Sequence, residues 1–252
     1  MRCLKLLIAY DGTAYCGWQR QLRDPTIQGV VEDCLGAMTQ ETVTVHGAGR
    51  TDAGVHAYGM VASFITHSSI NCQSFLKGLN SLLPSDIRIR MVEDVAIEFH
   101  ARFSCTGKRY CYQFSCRPIL LPTERLYWAH FPGVFTESVA RHCLDLLVGE
   151  HDFSSFEAAG SRDLNRVGGR GAVRTIYKVE LEKTSNLDLY SITIAGDGFL
   201  RHMVRNIAGT VIETAQAKRT LAEFTEILAA KDRSVAGLTA PAKGLFLKEV
   251  FY

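Results

Sequence analysis

The sequence predicts an α+β protein made of two tandem ferredoxin-like βαββαβ units, with antiparallel sheets covered on one face by helices. Three observations predict it. Some apolar runs alternate with a period of two, others recur at helical spacing, and the order of these runs in residues 1–103 returns in residues 104–252 without an obvious sequence repeat. With 252 residues, 47% of them hydrophobic and 21% charged, the chain can bury a substantial core.

Leu4, Leu6 and Ile8 alternate as in a first strand. Ile27, Val30, Val31, Cys34, Leu35 and Met38 then follow helical spacing, with Thr26 placed to cap the helix. Thr42 to His46 and Ala57 to Ile65 are expected as strands on either side of a glycine-rich segment. Phe75 to Leu83 is expected as a helix, and Ile87, Ile89 and Met91 alternate with arginines as a fourth strand. The second half gives a strand near Arg109 to Cys116, a helix near Thr136 to Val148, and strands near Val173 to Leu181 and Leu189 to Ala195. A helix near Leu200 to Ala217, an extra helix from Leu221 to Ala230 and a strand near Leu245 to Tyr252 complete it. The boundary between the halves is expected near Phe103.

Composition narrows the function. The Leu4–Ile8 run is short and broken by Lys5 and Asp11, so it reads as neither a signal peptide nor a membrane span. The eight cysteines form no C-x-x-C pair in a chain too long to need disulfides, and are expected to be reduced; Cys105, Cys111 and Cys116 are too loosely spaced for a zinc site. A net charge of +2 gives no strongly basic character overall, but Arg162, Arg166, Arg170 and Arg174, then Arg201 and Arg205, gather enough cations for a basic face.

Gly47-Ala48-Gly49-Arg50-Thr51-Asp52-Ala53-Gly54-Val55-His56-Ala57 carries the chemistry. It sets one short carboxylate between an arginine and glycines that let backbone approach a ligand closely. Asp52 stands where a dinucleotide fingerprint would have its third glycine, and the chain has no Gly-Lys-Ser/Thr phosphate loop, so a Rossmann cofactor site is disfavoured. His46 and His56, ten residues apart, lack the compact spacing of a metal site. The His-x-Glu with Pro-Cys-x-x-Cys pattern of zinc deaminases is absent as well.

The segment from Gly47 to His56 resembles the signature of the TruA family of tRNA pseudouridine synthases. The resemblance continues through Tyr10-Asp11-Gly12-Thr13, Gly17-Trp18-Gln19-Arg20, Phe99-His100-Ala101-Arg102-Phe103-Ser104 and Lys108-Arg109-Tyr110-Cys111-Tyr112. It extends to Val173-Arg174-Thr175-Ile176, Met203-Val204-Arg205-Asn206 and Gly244-Leu245-Phe246-Leu247, and so spans nearly the whole chain. It implies that the two half-sheets join edge to edge, as in the pseudouridine synthase fold, leaving an RNA-binding cleft on the face opposite the helices. The N-terminal half would bring the aspartate loop and the C-terminal half would complete the cleft.

The implied activity is cofactor-independent isomerisation of uridine to pseudouridine at positions 38, 39 and 40 of the tRNA anticodon stem-loop. Asp52 would be the nucleophile, attacking either the uracil ring or C1′. Arg205, on an amphipathic helix, would be the cation that keeps Asp52 ionised. Arg50 would fill the gap left by the flipped base, or serve only as a phosphate anchor. Tyr110 would stack on the uracil, although Tyr112 lies on the same strand face and by pattern either ring could be core. Leu245 would pack near the base. Arg162, Arg166, Arg170, Arg201 and His202 are candidates for RNA phosphates, with 162–171 as a loop over the cleft. The resemblance further implies a cytoplasmic homodimer with tRNA as its partner and neither a catalytic metal nor a cofactor. The rival readings are a non-catalytic RNA-binding module, which an intact Asp52 with Arg50 and Tyr110 argues against, and another base-flipping enzyme such as a deaminase or methyltransferase, disfavoured by the missing zinc and cofactor motifs.

Overall fold

The computed structural model describes residues 1–161, 169–184 and 188–252. It is a mixed α+β protein whose strands pair mostly antiparallel, with five α-helices among the described residues. The chain divides into two compact units, one formed by Met1–Thr106 with Phe246–Tyr252 and the other by Gly107–Leu245.

The first unit opens with β1 (Arg2–Tyr10), whose Leu4, Leu6, Ile8 and Tyr10 point into the core. It is followed by α1 (Ile27–Thr39), β2 (His46–Gly47), β3 (His56–Thr66), α2 (Cys72–Leu82) and β4 (Ile87–Val95). β1 lies between β4 and β3, antiparallel to both. Thr26 caps α1, its hydroxyl accepting the Gly29 N–H at 3.3 Å, and Asn71 caps α2 by accepting from Ser74 at 2.8 Å. Ile27, Val31 and Leu35 of α1 and Phe75 and Leu79 of α2 are wholly buried, and Phe75 meets Phe64 of β3 edge-on.

Thr42 to His46 alternates like a strand, with Val43 and Val45 buried, yet only His46 and Gly47 pair with β3. The backbone of Val45 is satisfied instead by side chains of α1: its N–H donates to Glu32 Oε1 at 2.9 Å and its carbonyl accepts from Gln28 Nε2 at 3.1 Å. Helix side chains thus substitute for a neighbouring strand.

The second unit contains β5 (Gly107–Ser115), β6 (Ala129–His130), α3 (Glu137–Asp145), β7 (Gly149–Asp152), β8 (Val173–Thr184), β9 (Leu189–Gly196), α4 (Met203–Ala215) and α5 (Leu221–Ala230). β5, β9, β8 and β7 pair in that order, each pair antiparallel, and β6 adds a short parallel pairing to β5. The helix expected from Leu200 begins only at Met203, because His202 sits at φ 62°, outside the right-handed helical region. α4 is also less amphipathic than the sequence suggests. Eleven of its thirteen residues are buried, and Arg205 and Glu213 are the two that are not. It is a core helix, and its buried Asn206 donates from Nδ2 to the Phe156 carbonyl at 2.8 Å.

The last strand, β10 (Leu245–Phe251), runs from the second unit into the first, where Phe246 and Leu247 pair parallel with His56 and Ala57 of β3. The sequence pattern places this strand with the C-terminal half. Its ring contacts show why it docks here: Phe246 stacks on His56 and Tyr58, with centroids 4.7 and 5.0 Å apart.

Candidate active site

In the first unit the backbone on both sides of Asp52 is tied to the segment after β1, to its own turn and to β3. Trp18 N–H donates to the Thr51 carbonyl at 3.0 Å, and the Thr51 hydroxyl is 2.8 Å from the Tyr10 hydroxyl. Val55 N–H closes a turn on the Asp52 carbonyl at 3.1 Å, with Gly54 at φ 74°. Gly54 N–H reaches Tyr15 O at 3.4 Å, and upstream Ala48 N–H donates to Val61 O at 2.8 Å.

Two glycines make this fit possible. A Cβ on Gly12 would stand 2.0 Å from the Val55 carbonyl oxygen. One on Gly17, at φ 90°, would stand 2.5 Å from the Thr51 oxygen and 3.1 Å from the Asp52 carbonyl carbon. Either side chain would push the loop away. The bed is in turn anchored by Arg20, whose Nη2 donates to Asp33 at 2.6 Å and Gly29 O at 2.9 Å, beside an Nε bond to Glu32 at 2.5 Å.

The result is an aspartate that is only half-buried on a loop whose neighbours are fixed: Thr51 and Val55 are buried, and Arg50 projects into solvent. His56, the last residue of the motif, is 1% exposed, and its Nδ1 lies 3.1 Å from both Gly12 N and Asp11 Oδ1. It stitches the motif to the β1 segment. Among the described residues no three His, Cys, Asp or Glu side chains gather to hold a metal ion.

The second unit carries the other candidates. Tyr110, at the middle of β5 opposite Ile194, is buried with its ring edge-on to Phe199 at 5.0 Å. Tyr112 is more deeply placed: it is wholly buried, its hydroxyl donates to Pro241 O at 3.0 Å, and burial pushes its phenol well above the usual range. The half-buried Arg205 is held against the same segment, with Nε donating to Ala240 O at 2.7 Å and its carbonyl accepting the Ala240 N–H at 3.1 Å. Leu245 follows a few residues on and is 6% exposed.

Arg201 and His202 line a cleft of about 480 Å³ with Ala158, Ala159, Arg233, Ser234 and Thr239. Arg233 was given no role by the sequence. It donates to Asn206 Oδ1 at 3.2 Å and Thr239 Oγ1 at 3.0 Å, and burial lowers its pKa. A single arginine after a helix carries no local signal, so only the fold reveals that it joins this cleft. Arg170 forms an ion pair with Asp197, which also accepts the Thr175 N–H at 3.1 Å. Arg162 and Arg166 lie outside the described residues.

A family model described as tRNA pseudouridine synthase matches residues 6–104 and 144–252. The chain belongs to that family. It is 47% identical over 252 residues, covering all of both chains, to tRNA pseudouridine synthase A 1 of Desulfotalea psychrophila. It is 43% identical to tRNA pseudouridine synthase A of Acetivibrio thermocellus over all of both chains. Against tRNA pseudouridine synthase A of Citrifermentans bemidjiense it is 41% identical over all of this chain and 98% of that one. A chain in a crystal structure of a Cbf5-Nop10-Gar1 complex shares 12% identity over 80% of this chain and 43% of that one at a TM-score of 0.32, a likeness too slight to carry an argument. The family isomerises uridine to pseudouridine in tRNA, and the chain is an enzyme of that class. No helix among the described residues is long and apolar enough to cross a membrane.

Proposed function

We propose that the chain converts uridine to pseudouridine at positions 38, 39 and 40 of the tRNA anticodon arm, with Asp52 as nucleophile. The observation that carries this reading is the half-buried carboxylate on a loop pinned on both sides of it, by Thr51 and by Val55. Such a group can approach a substrate without reorganising its own backbone, which is what positioning a reacting atom requires.

The reaction breaks the N1–C1′ bond of uridine, turns the freed uracil and forms a C5–C1′ bond; the C5 proton goes to solvent and N1 takes up a proton. Nothing is oxidised or reduced. Asp52 adds to C6 of the ring or to C1′, and is expelled again when the new nucleoside forms. The target base must first leave the helical stack. Arg50, exposed and two residues before Asp52, enters the space it vacates. Arg205 is the ion-pair partner of Asp52, Tyr110 stacks on the uracil, and Leu245 packs beside it. Arg201, His202 and Arg170, with Arg162 and Arg166, meet phosphates, so binding is steeply salt-dependent. The enzyme works as a homodimer in the cytoplasm, where its tRNA partner is.

Tritium release from unmodified tRNA carrying [5-³H]uridine tests the reading. The protein alone is expected to release one tritium for each uridine converted, confined to the anticodon arm. Binding of tRNA without release would leave the chain a binding module.

A further inference from the structure

The turn after β4 holds a large aromatic ring out in solvent on a backbone fixed by hydrogen bonds. Phe103 is 78% exposed. Ala101, wholly buried, donates its N–H to Ser63 Oγ at 3.0 Å, and its carbonyl accepts the Tyr252 hydroxyl at 2.8 Å. His100 N–H donates to Ser104 Oγ at 3.2 Å, and Ser104 N–H returns to His100 O at 2.9 Å. Nδ1 of His100 accepts from the backbone N–H groups of Arg102 and Phe103 at 3.1 and 3.3 Å. The turn is therefore held at every step.

The ring is also not alone. His46, His100 and Phe103 form a tilted series, with centroids 4.9 and 4.3 Å apart and interplanar angles of 33° at each step. The Arg102 guanidinium lies 5.9 Å from the Phe103 centroid. His46 joins the series because it pairs with Ser63 across β2 and β3, the residue that also anchors Ala101. Single exposed apolar side chains are common and need no explanation. A rigid, exposed ring backed by two others and accompanied by a cation is a different arrangement, the one that receives unstacked bases in single-stranded nucleic acids.

We propose that Phe103, backed by His100 and His46 and flanked by Arg102, is a stacking platform for an unpaired base of the tRNA, outside the catalytic pocket. The proposal rests on the tRNA reading above. A base offers a flat π face with no hydrogen-bond demand on the platform, and Arg102 can cover the base or meet its phosphate. The platform is close enough to share one RNA arm with the nucleophile: His46 precedes Asp52 by six residues, at most about 20 Å of extended chain.

The test uses the full chain with Phe103→Leu and Phe103→Trp, measuring the Kd for unmodified tRNA and the change in tryptophan emission on tRNA addition. Phe103→Leu keeps an apolar side chain of similar size but no ring, and Kd is expected to rise about tenfold or more. Phe103→Trp is expected to keep near wild-type affinity and to lose emission, beyond any change in the wild type, as the base covers the indole. Wild-type affinity in Phe103→Leu, or unaltered emission in Phe103→Trp at saturating tRNA, overturns the proposal. So does a change in sedimentation of Phe103→Leu without a change in tRNA affinity, which assigns the ring to contact between copies of the chain. A wild-type protein that neither binds nor converts tRNA overturns the functional reading itself, a result separable from either variant.

Discussion

Trp18 holds Thr51 by a backbone hydrogen bond of 3.0 Å, and Thr51 is the residue immediately before Asp52. The proposed nucleophile is thus positioned by a segment more than thirty residues upstream, and that segment reaches it only because Gly12 and Gly17 lack side chains.

Gly17→Ala places a methyl group 2.5 Å from the Thr51 oxygen at a φ of 90°. The clash is with backbone, so the Asp52 loop must shift. Displacement of a reacting group by about 1 Å costs on the order of 10²-fold in turnover. Tritium release should fall by that factor while the far-ultraviolet circular dichroism spectrum is retained. Unchanged turnover would show that the bed does not set the position of Asp52.

Tyr10→Phe leaves the Thr51 hydroxyl without its 2.8 Å partner in a buried site. A buried polar group deprived of its partner costs about 1–3 kcal/mol. Urea denaturation should show that loss, and adding Thr51→Val should recover part of it, since both partners are then gone. Strict additivity of the two substitutions would mean that the hydroxyls do not interact.

Tyr112→Phe removes a hydroxyl that donates to Pro241 O and is expected to lower stability by about 1 kcal/mol with turnover retained. Tyr110→Phe keeps the ring proposed to stack on the uracil and should convert uridine within about tenfold of the wild type. A far larger loss would instead give the phenol oxygen the C5 proton.

Thiol accessibility is set by the fold. Burial pushes the Cys116 thiol up to about 12 and the Cys143 thiol up to about 11, whereas Cys16 is exposed. At pH 8 both buried groups stay protonated and unreactive. Mass spectrometry after brief alkylation should find Cys16 modified first and Cys116 and Cys143 untouched until the protein unfolds; early labelling of either would contradict the packing of the second unit.

Burial, then the neighbouring His46, holds the His100 imidazole below its ordinary value of 6.5. The folded state favours the neutral ring, so the unfolded chain binds more protons below about pH 6.5. The contribution of His100 to stability is fully present above that pH and is lost as pH falls toward the lowered folded value. Denaturation midpoints between pH 7.5 and 5 should fall less in His100→Gln than in the wild type. Parallel slopes would remove His100 from the acid sensitivity.

Strong periodicity made most elements legible. Leu4, Leu6 and Ile8 gave β1, and Ile27, Val31 and Leu35 behind Thr26 gave α1 with its cap. Two-residue strands such as Ala129–His130 are too short to show a period. Val43 and Val45 alternate as in a strand, yet their segment is satisfied by Gln28 and Glu32, a choice no local pattern encodes. The partner of β10 was equally hidden, because an apolar run fits more than one sheet edge. At the site, the motif around Asp52 was readable from its glycines and charges. The supports, Tyr10, Gly12, Gly17 and Trp18, carry no local sign of their role, which lies in contacts with residues more than thirty positions along the chain. Tyr112 differs from Tyr110 in being wholly buried and in donating to Pro241 O, neither of which the strand pattern encodes.

Asp52→Asn tests the central claim most directly, because it exchanges the carboxylate for an amide of the same shape on the same pinned loop. Tritium release from [5-³H]uridine tRNA should vanish in the variant while its tRNA affinity stays close to wild type. Release at the wild-type rate by Asp52→Asn would contradict the assignment.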